Sequence, residues 1–165
     1  MSGMKIEYPP SKEHTIVNRP RNIGTAAETA VVKVLKPYWP TADRSPLRGS
    51  HDQGDIRGTG CIIWEVKAGA AAKGRTSTGE PAPGLVTEWL RQTEVERENA
   101  GARLGVLVTT RRGVGADNAR RWWAWLSVAA LADITGAPGH TNPAPVRLEL
   151  GALLDLLADQ GFTDG

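Results

Sequence analysis

Gly54-Asp55-Ile56-Arg57-Gly58-Thr59-Gly60-Cys61-Ile62-Ile63-Trp64-Glu65-Val66-Lys67 is the stretch whose reading decides the fold. Its centre, Arg57-Gly58-Thr59-Gly60, carries the glycines of a tight turn, and the flanks read as the two strands of a hairpin. The first strand is short, near Asp55 and Ile56, and the second is stronger and covers residues 61–67. Residues two apart on a strand point the same way, so Glu65 and Lys67 share a face while Val66 turns to the core. Asp55, on the partner strand, falls diagonally within about two residues of Glu65, with the register open by one. Packing gives no reason for three ionisable groups beside an Ile-Ile-Trp run. A site that holds a metal and activates a water does.

On the N-terminal side, residues 38–50 form a strand-or-loop stretch rich in Arg, Ser, Pro and Gly. Before them Ala27, Ala30, Val31, Val34 and Leu35 recur at helical spacing, predicting a helix from residue 24 to about 36 that Pro37 stops. Residues 1–20, with Pro9, Pro10 and Pro20 and no apolar period, are expected to be an irregular arm. On the C-terminal side, small and polar residues 68–83 read as a flexible loop. A largely polar helix spans residue 85 to about 100, with Gly101 just past its end. Residues 104–110 are a continuous apolar run, the natural central buried strand. A loop over 111–118, a Trp-rich strand over 121–127, a short helical turn, a Pro/Gly linker over 136–145, a strand over 146–150 and a helix over 151–160 follow. The order predicts an α/β fold, a mixed sheet with a helix on each side. The core domain is expected over residues 21–135, with 136–165 (linker, short strand and helix) appended to it.

The chain of 165 residues suits one domain with a sizeable core. No apolar run approaches a membrane span and no charged-then-apolar leader is visible, so a cytoplasmic protein with no membrane partner is expected. Cys61, the single cysteine, can form neither an internal disulfide nor a cysteine-based zinc cluster, which suits a reducing compartment. The net charge of +2 is uneven: four acids and no base follow Arg147, so the rest carries +6, and 14 of the 20 basic residues are arginine. Arginine's planar fork matches phosphate, which leans toward nucleic acid, although GC-rich coding enriches arginine equally well. Trp122, Trp123 and Trp125 would occupy both faces of one strand, one face for the core and the other for a dimer surface.

Asp55, Glu65 and Lys67 on a hairpin, after a helix bearing Glu28, resemble the PD-(D/E)XK nuclease superfamily, and most closely the Holliday-junction resolvases of the archaeal type and their phage relatives. The likeness covers residues 19–127. Arg21-Asn22-Ile23-Gly24 followed by Glu28 looks like the family's first helix, and Arg44-Ser45 with Arg48-Gly49-Ser50 like the approach to the first catalytic acid. Gln92 occupies the place of a glutamine seen in many members, and Gly54 stands where the superfamily name has a proline. The resemblance implies a restriction-endonuclease-like mixed sheet flanked by helices, and a homodimer nicking opposed strands of a four-way DNA junction.

It also implies roles. Asp55, Glu65 and the Val66 carbonyl would bind Mg²⁺, for which Mn²⁺ substitutes, with Glu28 completing the site directly or through water. Lys67 would orient or deprotonate the attacking water, and Gln92 would brace the site. Candidates for contact with DNA are Arg19, Arg21, Arg44, Ser45, Arg48, Lys73, Arg111 and Arg112. Asp52 is an alternative to Asp55, and His51 reads as a solvated loop residue, because His14, His51 and His140 are dispersed. An isolated Glu-x-Lys is ordinarily a surface pair on an exposed strand; the acid at residue 55 and the apolar run argue against that here. Three rivals stay open: another nuclease of the same superfamily (restriction-type, flap or end-processing), a DNA-binding module without catalysis, and a structural protein assembling through the Trp strand.

Overall fold

A computed structural model of the chain describes residues 19–46, 54–68 and 80–164, with side chains from Asn22 onward. Arg48, His51, Asp52 and Lys73 therefore lie outside the described residues, as do the side chains of Arg19 and Arg21. The order is α1 (Arg19–Leu35), β1 (Asp43–Arg44), β2 (Ile56–Arg57), β3 (Ile62–Lys67), α2 (Pro83–Asn99), β4 (Leu104–Thr109), a 3₁₀ segment (Ala116–Arg121), β5 (Trp123–Ser127), α3 (Val128–Ile134), β6 (Pro145–Glu149) and α4 (Leu150–Asp159). Among the described residues the strands form one six-stranded sheet in sequence order, β1 to β6, in which only β3 and β4 pair parallel. Helix α2 lies in the crossover that a parallel pair requires. The chain is thus mixed α/β, a mixed sheet flanked by helices.

Alternation along the central strands divides the core between the two faces. Ile62, Trp64 and Val66 of β3, with Leu104, Val106 and Val108 of β4, pack with Val31 and Leu35 of α1 and Leu153, Leu154 and Leu157 of α4. Leu107 turns the other way, against Val86 and Trp89 of α2. Glu65 lies on β3 between Trp64 and Val66, so its alternation sends it toward the α2 face.

Several boundaries differ from those read in the sequence. Helix α1 starts at Arg19, ahead of residue 24, because Pro20 falls in the first turn, where its missing N–H has no helical partner to lose. Helix α2 likewise starts on Pro83. The strand expected from residue 121 begins at Trp123, and a 3₁₀ segment occupies the space before it. Trp122 drops into the α1 side of the core at 3% exposure, its indole N–H donating to the Val114 carbonyl at 2.9 Å. Trp123 and Trp125 both sit on the opposite face. There the Arg111 and Arg147 guanidinium groups each lie 4.1 Å from the Trp123 ring centre.

The C-terminal segment is part of the core. Leu150, Leu153, Leu154 and Leu157 are all fully buried, a burial worth roughly 1.5–3 kcal/mol per side chain. Asp155 accepts from the Tyr38 hydroxyl at 2.7 Å and from Arg120 at 3.1 Å, and the Trp39 indole donates to the Phe162 carbonyl at 3.2 Å. No helix among the described residues is long and apolar enough to cross a membrane. Leu154→Ala is expected to cost about 3 kcal/mol and to lower the melting temperature of one cooperative transition. A separate early transition for the C-terminal segment, with the rest unchanged, would contradict its place in the core.

Candidate active site

Asp55 stands immediately before β2, and three hydrogen bonds fix it. Its amide donates to the Trp64 carbonyl at 2.8 Å, its carbonyl accepts from the Ser45 amide at 2.8 Å, and its carboxylate Oδ2 accepts from the Val66 amide at 2.7 Å. β2 pairs with β3 at Ile56↔Trp64, and the Asp55 amide bonds the same Trp64 carbonyl, so Asp55 departs from the regular ladder just where its carboxyl feels the Glu65 charge. Val66 donates on the edge where Asp55 sits, and a strand residue's N–H and C=O leave on the same side, so its carbonyl points to that edge too. Lys67 reaches back along β3 to hydrogen-bond and ion-pair with Glu65 Oε1.

Gly54 makes this placement possible. Its φ is +84°, and a Cβ there would lie 2.9 Å from the Trp64 carbonyl oxygen and 2.9 Å from Ile63 Cγ2. The chain therefore crosses β3 too closely for any side chain. Proline, locked near φ −65°, cannot adopt this conformation.

The electrostatics follow from the geometry. Burial raises the Asp55 carboxyl most, the Glu65 charge next, and Glu28 adds to both; the Val66 N–H and Lys67 oppose them, and the result is about 7. Burial alone would push the Lys67 ammonium down, but Glu65, by charge and by hydrogen bond, with Asp55 and Glu96, outweighs it and holds Lys67 above its ordinary value. Lys67 is therefore a standing positive charge and no proton acceptor near neutral pH. A held positive charge of this kind can orient a water or bind a phosphate oxygen.

The remaining expected residues take varied places. Glu28 accepts from Arg44 Nε at 2.7 Å, so that arginine is bound to the helix acid. Ser45 acts through its backbone on Asp55. Gln92 Nε2 donates to Glu88 Oε1 at 3.0 Å, one turn back on α2, where bracing of the acids was expected. Arg111 pairs with Glu149 at 2.6 Å and stacks on Trp123. The strand registers nevertheless align Lys67, Thr109, Trp123 and Glu149 in one row across the sheet, so Arg111 and Arg112 leave β4 at the same end as Lys67. Glu96, four residues beyond Gln92, was missed; its i,i+4 spacing from that residue was the available signal.

No three His, Cys, Asp or Glu side chains among the described residues form a ready metal-ligand group. The donor set in question is smaller, two carboxylates and a main-chain carbonyl. These are the hard oxygen donors Mg²⁺ takes in small number, keeping several of its waters. The buried like charges at Asp55 and Glu65 suit a divalent cation, so the residues fit the ion. Comparison with known proteins adds nothing: no family model, curated protein or solved structure matches the chain.

The Asp55 carboxyl has a higher pKa folded than unfolded, so between the usual 3.8 and about 7 the native state holds a proton that the unfolded chain has released. Stability therefore falls as pH rises through that window, and the cost is complete above it. Asp55→Asn keeps an oxygen for the Val66 amide and removes the charge. Without divalent cation it is expected to be more stable than the native chain at pH 8, by on the order of 1 kcal/mol or more, with the gap narrowing toward pH 4. Melts showing no gain at pH 8 would contradict the buried-charge account. Gly54→Ala is expected to destabilise by about 1–3 kcal/mol and to shift the Val66 amide resonance, because Asp55 must move; an unshifted amide would show the close crossing to be dispensable.

Proposed function

We propose that this chain is a divalent-metal-dependent DNA endonuclease with a restriction-endonuclease-like fold, acting on branched DNA and resolving four-way junctions by paired nicks. The observation that carries the reading is the Asp55 carboxylate held on the Val66 amide, the residue after Glu65, with Lys67 paired to Glu65. Asp55, Glu65 and the Val66 carbonyl would hold Mg²⁺ or Mn²⁺. When bound, the ion lowers the pKa of a water and neutralises charge on the phosphate under attack.

The chain's own groups supply the rest. The Lys67 ammonium donates hydrogen bonds to the nucleophilic water and to a non-bridging phosphate oxygen. Its permanent charge stabilises the pentacovalent arrangement as negative charge builds there. Glu65 positions that ammonium, and the Trp64 and Ser45 backbone bonds keep Asp55 from swinging away. Burial of the acids limits competing water and strengthens every charge interaction within the site. Arg111 and Arg112, at the same sheet end, lie where the flanking DNA backbone would pass. Paired nicking needs a second copy of the chain, and that part of the proposal rests on the resolvase likeness alone.

The test is cleavage of a synthetic four-way junction by the purified chain, with matched linear duplex and flap substrates beside it. Nicking is expected with Mg²⁺ or Mn²⁺ and none with EDTA. Lys67→Ala and Glu65→Gln are expected to slow nicking by at least about 10²–10³-fold while junction binding persists and weakens steeply with salt. Preference for flaps or linear ends would keep the chemistry and reassign the substrate. Cleavage by both variants at the native rate, or in EDTA, would refute the assignment.

A further inference from the structure

Arg44 was a candidate for phosphate contact, yet its guanidinium is turned inward. Nε lies 2.7 Å from Glu28 Oε2, and Nη2 lies 3.4 Å from the Thr25 hydroxyl one turn earlier on α1. Both side chains are largely withdrawn from water, Arg44 at 34% exposure and Glu28 at 19%. Arg44 pairs with Ile56 in the sheet, one residue from Asp55, and the next residue, Ser45, binds the Asp55 carbonyl. A two-residue strand thus ties the acid on α1 and the acid before β2 to one another.

The charges give this tie a consequence. Arg44 sits on β1 beside Ile56 and the next residue bonds Asp55, so the Glu28 carboxylate that Arg44 holds stands at the same edge of the sheet as Asp55. A third carboxylate joining Asp55 and Glu65 would strengthen the hold on a divalent cation. A guanidinium cannot lose its proton in a protein, so Arg44 offsets one of those charges at every working pH. Its Nε also holds Glu28 Oε2 at β1, and Glu28 does not join Asp55 and Glu65 in a three-carboxylate group among the described residues.

We propose that Arg44 is a positioning residue that holds Glu28 out of the cation's first shell, so that the site binds a divalent cation more weakly than its three acids would if free. This rests on the cation site proposed above and adds a control on its affinity. A weakly held ion exchanges readily and is completed by the oxygens of an arriving phosphate, which suits a nuclease in which substrate supplies ligands.

The experiment is titration of the full chain with Mn²⁺ alone, without DNA, followed by calorimetry and by the electron paramagnetic resonance signal of free Mn²⁺. Glu28→Gln is expected to leave the dissociation constant within about threefold of the native chain, because the held carboxylate is not a ligand. Arg44→Gln is expected to tighten binding about tenfold, as freed Glu28 joins the shell. Arg44→Lys, which keeps the charge, is expected to stay within about threefold, and in the Arg44→Gln/Glu28→Gln double variant the gain is expected to vanish. A loss beyond about tenfold in Glu28→Gln would make Glu28 an inner ligand and overturn the proposal even if Arg44→Gln fails to fold. So would a folded Arg44→Gln that binds no tighter, or a gain that survives in the double variant. Mn²⁺ binding abolished by Asp55→Asn but indifferent to Arg44 would overturn this inference alone. No Mn²⁺ binding by the native chain at millimolar concentration would overturn the cation site and this inference together.

Discussion

The hydrogen bond from the Val66 amide to the Asp55 carboxylate is the contact on which the site depends. Residues 54 and 55 approach β3 from the side, and without this bond the acid would face solvent beyond the end of β2. A bond of this kind to a charged group contributes about 1.5–3 kcal/mol. It works against burial and the charges of Glu65 and Glu28, which favour the protonated acid. The backbone bonds to Trp64 and Ser45 hold the chain on both sides of that conflict. Gly54 permits the approach by having no side chain and a positive φ. A packing-optimised hairpin would not place an acid here, and such local departures from packing are where a functional site is sought.

The rest of the molecule supports that small region. The β3–α2–β4 crossover sets the central parallel pair that carries Glu65 and Lys67, and α1 and α4 cover the opposite face. The acidic tail, which made the rest of the chain look strongly basic, folds back on that excess. Glu149 meets Arg111 and Asp155 meets Arg120. Exposed pairs of this kind add at most about 1 kcal/mol each to stability. Their larger consequence is for charge: arginines counted as a footprint for nucleic acid are partly answered within the chain. The case for DNA therefore stands on the arrangement of Asp55, Glu65 and Lys67, and only secondarily on net charge.

Much of this was legible because the deciding patterns are local. The run from Ile62 to Lys67 and the apolar stretch after Leu104 announce strands by themselves, and alternation places Glu65 and Lys67 on one face whatever the neighbours do. What stayed hidden depends on partners distant in sequence. Strand β1 is two residues long and exists only because Asp43 and Arg44 pair with Arg57 and Ile56. Arg44 is indistinguishable from a solvated arginine until α1 brings Glu28 to it. The positive φ at Gly54 looks like any loop glycine until β3 runs beneath it. Gln92 lies on α2, where Glu88 one turn back takes its amide, a pairing that the sequence does not single out. Trp122 lies before β5, and the Arg111 and Arg147 guanidinium groups on Trp123 are contacts that hydrophobic periodicity does not reveal.

The central claim is spatial: the Asp55 and Glu65 carboxylates and the Val66 carbonyl share one divalent cation beside the Lys67 ammonium. Diffraction from crystals soaked in Mn²⁺, recorded where manganese scatters anomalously, tests it without reference to any substrate. The account predicts a single strong anomalous peak about 2.1 Å from oxygens of Asp55, Glu65 and Val66, with Glu28 still bound to Arg44. A peak at other residues, or none between these carboxylates at saturating Mn²⁺, would contradict it.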